Sequence, residues 1–298
     1  MSRISAVINT FNEEKNIKRC IDSLKNFADE IVVVDMQSID KTKEIAKSMG
    51  AKVFDCDYVG YVEPARNFAI KKAKNDWILI LDADEELLPS LKLILKDRVD
   101  KSNYNYFRIP RKNIIFGKWI KHTLWWPDYQ IRFFKKGSVN WSDDIHSLPI
   151  TIGGGFDLKD TDENAILHHN YDFLEQFVER LNRYSTVQAK LLSQKKYKFV
   201  WTDLIEKPFK EFISRFFTGE GYKDGVHGLL LSMLQTFSEL VVYAKIWQIQ
   251  KFDEKDMRLD DLNTLMSSKV RDLRFWQNDM LYKTTGKFLY KIKRKLKI

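Results

Sequence analysis

The sequence predicts an α/β protein with a mostly parallel β-sheet covered by helices on both faces, followed by a helical second part. Short apolar runs rich in β-branched residues alternate with stretches of helical length through about the first 100 residues. These runs are continuously apolar, as expected for strands covered on both faces. After about Asp172, apolar residues recur at helical spacing. We therefore expect a sheet domain over residues 1–170, a helical extension over 171–279 and a basic tail over 280–298.

Each predicted element has a local reason. The apolar runs predict strands at Ile4–Ile8, Ile31–Val34, Val53–Phe54 and Trp77–Leu81. The segments between them are long enough for helices at Glu13–Leu24, Lys41–Met49 and Pro64–Ala73. The second of these helices has signals at both ends, because Asp40 precedes it as a cap and Gly50 follows it. Strands that alternate with helices in this way pair in parallel.

The composition is that of a soluble globular chain, with 44% hydrophobic and 31% charged residues. Cys20 and Cys56 are too few for a disulfide framework or a ligand cluster. Cys20 lies on the apolar side of its helix, so we expect it in the core and the protein in a reducing compartment. We recognise no signal peptide and no run of about 18 apolar residues, and therefore expect no membrane span.

The net charge of +9 is concentrated at the C-terminal end. Residues 280–298 carry seven basic residues and no acid, and without them the net charge is +2. This local stretch argues against nucleic acid as a partner, because nucleic-acid binding needs a basic face spread over the fold. Basic residues there alternate with apolar ones, which favours the surface of an anionic membrane. A solvated tail is the alternative.

Polar residues stand at the carboxyl end of every predicted strand. They are Asn9 and Thr10, Asp35, Asp57, and Asp82 with Asp84. In parallel sheets ligands bind beyond these ends, so Thr10, Asp35 and Asp82 should approach one another. Asp82 and Asp84 are two residues apart and could face one Mg²⁺ or Mn²⁺ ion, since hard cations take oxygen ligands. The alternative is the first turn of a helix that begins near Leu87.

Glycine-rich phosphate loops are missing from the start of the sequence. Neither G-x-x-x-x-G-K-[ST] nor G-x-G-x-x-G follows the first predicted strand. This excludes a P-loop enzyme and a typical dinucleotide-binding protein.

Five sequence blocks occur in a fixed order. The first three read AVINTFNEEKNIKRCIDSL, EIVVVDMQSIDKT and EPARNFAIKKAKNDWILILDADE. They resemble the successive blocks of family 2 glycosyltransferases with the A-type fold, and the resemblance covers about residues 3–150. The other two, PDYQIRFFKKGSVNWSDDIH and ILHHNYDFLEQFVERLNRYS, resemble a subgroup related to lipopolysaccharide-core β-glucosyltransferases. The resemblance implies transfer of a sugar from a nucleotide-diphosphate donor to an acceptor hydroxyl. It also implies a divalent metal, Mn²⁺ or Mg²⁺, that neutralises the leaving diphosphate.

The resemblance also implies roles for individual residues in the first blocks. Thr10 and Glu13 belong to the first nucleotide-binding block, and Asp35 would contact the base or the ribose. Asp82 would face the ribose or the donor sugar, and Asp84 would hold the metal.

Three basic residues have two interpretations each. Arg66 would reach the diphosphate or the donor sugar, or be a surface charge on its helix. His168 aligns with a histidine that closes the catalytic domain in many A-type enzymes and would reach the metal or the diphosphate. Its alternative is a loop histidine, and we expect its neighbour His169 to be structural. Arg132 would bind acceptor or phosphate, or lie on a solvated face of its strand.

An inverting transfer needs a base that takes the acceptor proton. The resemblance implies a carboxylate well downstream of Asp84. Related sequences often have a glutamate directly after the histidine of the fourth block, but here Ser147 follows His146. We expect Asp144 to be the base, with Asp128 as the second candidate.

The preferred interpretation is a metal-dependent inverting glycosyltransferase at the cytoplasmic face of the cell membrane. It would be peripheral, and would build a surface or lipopolysaccharide-type glycan on a lipid-linked acceptor. The alternatives are a soluble transferase that modifies a protein or peptide, and a noncatalytic scaffold that binds sugar nucleotides. The intact D-A-D-E sequence argues against the scaffold. Aromatic residues beside cations after Lys207 suit a membrane interface, whereas Leu229–Leu240 suits a helical core or a homo-oligomer contact.

Overall fold

The computed structural model describes residues 2–57, 63–101, 103–141 and 149–296. The chain divides into two compact units. The first consists of Met1–Ile115 and Trp126–Asn170, and the second of Phe116–Trp125 and Tyr171–Ile298. Residues 116–125, which lie inside the range predicted for the sheet domain, thus belong with the helical unit.

The first unit begins with the predicted alternation of strands and helices. Its first strands are β1 Ile4–Thr10, β2 Glu30–Asp35, β3 Lys52–Asp55, β4 Trp77–Asp82 and β5 Glu85–Leu87. Its helices are α1 Ile17–Ser23, α2 Thr42–Ser48, α3 Glu63–Lys72 and α4 Pro89–Lys101. β1 pairs in parallel with β2 and β4, and β2 pairs in parallel with β3. The predicted α/β fold class with parallel strands at its centre is confirmed.

Some of the later strands extend the sheet in the antiparallel sense, whereas others form a separate two-stranded sheet or pair in parallel. In chain order the later strands are β6 Tyr106–Ile115, β7 Lys118–Trp119, β8 Asp128–Lys135, β9 Val139–Asn140, β10 Ile150–Thr151, β11 Gly155–Asp157 and β12 Ile166–Tyr171. The separate sheet consists of β9 and β10, and β11 is the strand that pairs in parallel, with β6. The sheet has the order β3-β2-β1-β4-β8-β6-β12-β5. β8 is antiparallel to β4 and β6, and β12 is antiparallel to β5. Strand β8 therefore lies next to the strand that ends in Asp82.

Apolar side chains cover both faces of this sheet, because alternate residues of a strand point to opposite sides. On β1, Ala6 and Ile8 belong to one buried cluster and Val7 to the other. The first cluster includes Cys20 of α1, which is fully buried as predicted. Trp77 packs there on the ring of Phe133, with ring centroids 4.7 Å apart. Full burial of a large apolar side chain stabilises the fold by about 1.5–3 kcal/mol.

The second unit is mainly helical. Its α-helices are α5 Leu174–Gln194, α6 Asp203–Phe212, α7 Val226–Ile249, α8 Leu259–Thr285 and α9 Phe288–Leu296. A π-helical segment at Ile213–Thr218 and a 3-10 turn at Gly221–Asp224 connect α6 to α7. The helical path is therefore interrupted at Gly219 and at Gly225. At Gly228 a Cβ atom would lie 1.8 Å from the carbonyl oxygen of Gly221, so α7 can approach the turn this closely only with glycine there.

Helix α7 bears on one expectation. Among the described residues, it has the length and composition of a helix able to cross a membrane, with a mean hydropathy of 1.3 and 28% of the apolar window buried. It is not a continuous apolar run, because Glu239 and Lys245 interrupt it, and core helices of soluble proteins also meet this criterion. The expectation that no segment spans a membrane therefore stays a prediction. Val242 and Ile246 of α7 are fully buried with Ala189 of α5, whereas Met233 and Phe237 are about half exposed. The helix thus has a packed side and an exposed apolar side.

The predicted basic tail is two elements. Its first residues complete α8, and its last residues form α9 after a left-handed turn at Gly286. The buried carboxylate of Asp279 accepts a hydrogen bond from Nη1 of Arg294 of α9 and lies 3.1 Å from the ammonium of Lys283. The C-terminal helix is therefore attached to α8 by a partly buried ion pair.

Candidate functional site

The register of the parallel strands brings the predicted nucleotide-site residues together. Thr10 is paired with Asp35 across β1 and β2, and Asn9 is paired with Asp82 across β1 and β4. The expectation that Thr10, Asp35 and Asp82 lie at one edge of the sheet is confirmed. Thr10 and Asp35 are both buried.

Several buried polar atoms at this edge have no hydrogen-bond partner within the part of the chain that the structure describes. They are both amide atoms of Asn9, the hydroxyl of Thr10 and Oδ1 of Asp35. The other oxygen of Asp35 accepts a hydrogen bond from the backbone N–H of Ser38 at 2.9 Å. A buried polar atom without a partner costs about 1–3 kcal/mol, so a group of them indicates a place where a ligand supplies the missing bonds.

Glu13 fixes the chain that leads from this edge into α1. Its carboxylate accepts a hydrogen bond from Asn16, and its backbone N–H donates to the hydroxyl of Thr42 at the start of α2. Asp40 accepts bonds from the N–H of Thr42 and of Glu14. Burial opposes ionisation of Asp40, but its hydrogen bonds with Thr42 outweigh that effect and lower its pKa. Asp40 thus acts at the start of α2 as predicted, although Lys41 directly precedes the helix.

The acidic sequence after β4 forms a turn and not a helix start. Asp82 ends β4, Asp84 lies in the turn and Glu85 begins β5. Helix α4 begins only at Pro89 and has no acidic residue in its first turn. The helix-start interpretation of these acids is therefore wrong.

Three arginines neutralise two of these acids. Arg132 of β8 donates from Nη2 to Asp82 and also to Glu85, the latter at 2.7 Å. Arg66 of α3 donates to Asp82 at 3.1 Å, and Arg111 of β6 donates to Glu85 at 3.2 Å. Arg132 is 2% exposed, so the expectation of a solvated face for it is wrong. Arg66 also stacks over Trp141 and is not a surface charge.

This cluster holds Asp82 in its ionised form. Burial raises the pKa of Asp82, but the positive charges of Arg132 and Arg66 outweigh it and hold that pKa well below its usual range. For Arg132, burial favours the neutral form, but the charges of Asp82 and Glu85 prevail and raise its pKa. Asp82 therefore remains ionised at neutral pH in spite of its burial.

His168 lies beside Asp84, as the resemblance implied. β12 pairs with β5 so that His168 is opposite Glu85, the residue after Asp84. Its Nε2 is 3.5 Å from Oδ2 of Asp84, and its Nδ1 is 2.6 Å from Oδ1 of Asn113. His169 points elsewhere and contacts Glu86 at 2.6 Å, which agrees with the structural role expected for it.

The Asp84–His168 pair fits a divalent cation as part of its coordination. Within the described residues, no group of three or more histidine, cysteine, aspartate or glutamate side chains forms a complete metal site. Mg²⁺ and Mn²⁺ commonly use one or two protein ligands and take the remainder from phosphate oxygens and water. Asp84 and His168 would then be the protein ligands.

Of the two candidate bases, the structure describes only Asp128. Asp128 accepts hydrogen bonds from Arg111 at 2.8 Å, from Gln130 at 2.9 Å and from Asn113 at 3.3 Å. Burial raises the pKa of Asp128, but the charge of Arg111 and these bonds outweigh it and lower that pKa. A carboxylate with a lowered pKa is a weak proton acceptor, so the geometry does not favour Asp128 as the base. Asp144 lies outside the described residues.

The first unit has a cleft that is lined in part by Arg66. Its volume is about 300 Å³. Residues with aromatic rings and hydrogen-bonding groups line it, among them Trp141, Tyr129, Gln130 and the ion pair of Arg108 with Asp157. Aromatic faces beside fixed polar groups suit a sugar ring, which has apolar faces and a hydroxylated edge.

Comparison with known proteins identifies the class. Residues 5–153 match the family described as Glycosyl transferase family 2. An uncharacterized glycosyltransferase of Rickettsia bellii is 32% identical over 271 residues, covering 88% of this chain and 92% of that protein. The chain therefore belongs to glycosyl transferase family 2. Together with the observed sheet, this confirms the predicted A-type fold class.

Two further similarities are more distant. The lipopolysaccharide core biosynthesis glycosyltransferase LpsC of Rhizobium meliloti is 25% identical over 255 residues, covering 82% of this chain and 92% of that protein. The crystal structure of TarS 1-349 from S. aureus has a TM-score of 0.43 at 15% identity, covering 82% of this chain and 91% of that one.

We expect Arg132→Met to lower the free energy of unfolding by about 3–5 kcal/mol at pH 7.5, because it leaves two buried carboxylates with one cation fewer. In the wild type, the lowered pKa of Asp82 gives stability that is complete above about pH 4 and is lost as the pH falls further. Without Arg132, burial raises the pKa of Asp82, and a protonated acid needs no partner. The loss should therefore be smaller at pH 4.5 than at pH 7.5.

Urea unfolding at the two pH values measures this difference. Arg108→Met is the matched control, since it removes an arginine from an exposed ion pair with Asp157 and should cost about 1 kcal/mol or less. Equal losses for the two variants would contradict the structural role of Arg132.

Proposed function

We propose that the protein is an inverting glycosyltransferase that moves a sugar from a nucleotide diphosphate to an acceptor hydroxyl with the help of Mn²⁺ or Mg²⁺. The observation that carries the proposal is the set of unpaired buried polar atoms on Asn9, Thr10 and Asp35 at the sheet edge that also holds the Asp84–His168 pair. Hydrogen-bonding groups for a nucleoside thus lie at the same edge as ligands for a cation. Membership of the family supports this assignment.

In this proposal different side chains at the sheet edge bind different parts of the donor. Asn9, Thr10 and Asp35 bind the base and ribose, and Asp82, oriented by Arg66, faces the ribose or the donor sugar. A cation held by Asp84 and His168 would neutralise the charge that develops on the leaving diphosphate.

The acceptor is proposed to be a glycan that enters the cleft lined by Trp141 and Tyr129. The similarity to a protein named for lipopolysaccharide core biosynthesis supports a lipopolysaccharide-type, lipid-linked glycan as the acceptor. A noncatalytic scaffold is less well supported, because a scaffold has no need for the cation ligands. A soluble transferase that acts on a protein or peptide remains the alternative and differs in its acceptor.

We propose further that the protein works at the cytoplasmic surface of the membrane through α9. Phe288, Leu289 and Leu296 of α9 are more than half exposed. The same helix carries four basic residues and no acid. An exposed apolar face next to basic residues matches the surface of an anionic bilayer. The exposed side of α7, with Met233 and Phe237, would suit a second copy of the chain or the same surface.

Asp84→Asn should abolish the effect of Mn²⁺ on donor binding, since it removes the negative charge of one cation ligand without changing side-chain volume. Loss of even an outer hydrogen-bond partner of a metal ligand commonly costs 10–100-fold in affinity, so we expect at least about that loss here. A panel of nucleotide-diphosphate sugars, tested by thermal shift and calorimetry with and without Mn²⁺, identifies the donor and measures the loss. Asp97→Asn on the exposed side of α4 is the control. Normal Mn²⁺-dependent affinity in Asp84→Asn would rule out the assigned metal site.

For the base, Asp144→Asn should lower turnover by roughly 10²–10⁴-fold with donor affinity near that of the wild type. Single-turnover rates and donor Kd values, measured for Asp144→Asn and Asp128→Asn in parallel, distinguish the candidates. Our choice of base is wrong if only Asp128→Asn combines slow turnover with normal donor and metal affinity. The family assignment does not depend on either result.

Removal of residues 287–298 should release the protein from anionic vesicles while transfer or hydrolysis of a soluble donor is retained. The deletion takes away α9 but no candidate site residue, and each basic residue contributes on the order of 1 kcal/mol at an anionic surface. Co-sedimentation with phosphatidylglycerol vesicles at low and moderate salt measures the release, and phosphatidylcholine vesicles are the neutral control. A full-length variant with Phe288 and Leu289 replaced by serine tests the apolar face separately. Unchanged binding of the truncated protein would refute α9 as the anchor.

A further inference from the structure

A line of four hydrogen-bonded side chains in the first unit leads to His168. Arg111 holds Asp128 through two N–H groups, one of them at 2.8 Å. Asp128 accepts a bond from Nδ2 of Asn113 at 3.3 Å, and Oδ1 of Asn113 lies 2.6 Å from Nδ1 of His168. Asn113 is fully buried, and His168 is 5% exposed. Local strand geometry builds the line, because Arg111 and Asp128 are register partners and Asn113 follows Arg111 by two residues on the same face of β6.

The order of donors and acceptors along this line follows from its first member. Arg111 donates to Oδ2 of Asp128 and Gln130 donates to Oδ1, so both oxygens accept and Asp128 is ionised. An ionised carboxylate cannot donate, so the amide of Asn113 must present its nitrogen to Asp128 and its oxygen to His168. That amide oxygen can only accept. The proton of the short contact must therefore lie on Nδ1 of His168.

A neutral imidazole with its proton on Nδ1 has a lone pair on Nε2. This lone pair faces Oδ2 of Asp84 at 3.5 Å, a distance longer than that of a direct hydrogen bond. Two acceptor atoms that face each other are stabilised by a cation between them. A hydrogen bond that fixes the ring of a metal-binding histidine from its other nitrogen also raises the affinity for the metal.

We propose that Asn113 is a positioning residue that holds His168 in the Nδ1–H tautomer and so presents Nε2 to the divalent cation beside Asp84. In this arrangement Asp128 orients Asn113 and does not act as the catalytic base. The inference rests on the proposed function in one respect, because it takes a divalent cation as the ligand of Asp84 and His168. The tautomer of His168 is independent of that assumption and can be measured without metal.

The first experiment is ¹⁵N NMR of the full-length, metal-free protein labelled at histidine. The chain has five histidines, so the spectrum is simple, and the signals of His168 are those that disappear in His168→Gln. At a pH where the imidazole is neutral, long-range ¹H–¹⁵N correlations should show a protonated Nδ1 and an unprotonated Nε2. In Asn113→Leu, which removes both hydrogen bonds at similar volume, this single tautomer should give way to a mixture. A protonated Nε2 in the wild type, or an unchanged tautomer in Asn113→Leu, would overturn the proposal.

The second experiment measures the affinity for Mn²⁺ by electron paramagnetic resonance, with Mn²⁺ alone and with UDP. Asn113→Leu and Asp128→Asn should each weaken Mn²⁺ binding roughly 10–100-fold. His169→Gln is the matched control, because it changes the next residue of the same strand and should leave the affinity unchanged. Asp128→Asn preserves side-chain size and decides the question if Asn113→Leu does not fold. Wild-type Mn²⁺ affinity in a folded Asp128→Asn variant would also overturn the proposed role of Asn113 and Asp128.

The two experiments distinguish failure of the positioning role of Asn113 from failure of the proposed function. If the wild type binds Mn²⁺ neither alone nor with UDP, the metal step of the proposed function is refuted, and the NMR result still decides the role of Asn113 in fixing the ring. If the wild type binds Mn²⁺ and both Asn113→Leu and Asp128→Asn bind it equally well, the positioning role of Asn113 is refuted and the assignment of the metal site is retained.

Discussion

The buried guanidinium of Arg132 is the interaction on which the rest of the site depends. β4 is the strand next to β8, and it ends in Asp82, with Glu85 fully buried after the turn. Burial of two carboxylates at one strand end is unfavourable without a cation, because both desolvation and mutual repulsion oppose it. Arg132 reaches both of them from β8. The antiparallel extension of the sheet is thus what allows an acidic turn to stand at the edge of the parallel strands.

Local sequence patterns predicted the parallel half of the sheet well and the antiparallel half poorly. Continuous apolar runs identify β1, β2 and β4, and the polar residues after them identify the edge at which the predicted donor-binding residues meet. The pairing of β6 with β8 joins residues up to 28 positions apart and leaves no local signal of that kind. Arg132 illustrates the consequence. Alternation along QIRFF places Arg132 opposite to Ile131 and Phe133, but it does not show that Asp82 and Glu85 lie beside its guanidinium. Arg111 and Asn113 were missed for the same reason.

The helical half shows a different limit. Leu229–Leu240 was expected to be helical, but the search for an uninterrupted apolar run does not detect the high average hydropathy of α7, because Glu239 and Lys245 interrupt the sequence. The predicted boundary of the basic tail at residue 280 fell inside α8, since a count of charges does not detect the end of a helix. Gly286, with φ of +69°, is the signal that separates α8 from α9. A glycine after basic residues in a last helical turn is a known C-terminal pattern and would have located the boundary.

The concentration of four acids at the end of the most hydrophobic strand follows from the alternation of the chain. Asp82 and Glu85 face arginines, whereas Glu86, the next residue along β5, points to the opposite side and contacts His169 and Arg19. Asp84, in the turn between the two strands, lies beside His168. The acids therefore do not form one site of high negative charge. Arginine neutralises the two that border the turn, and the carboxylate within the turn is left facing a histidine whose free nitrogen would share a cation with it.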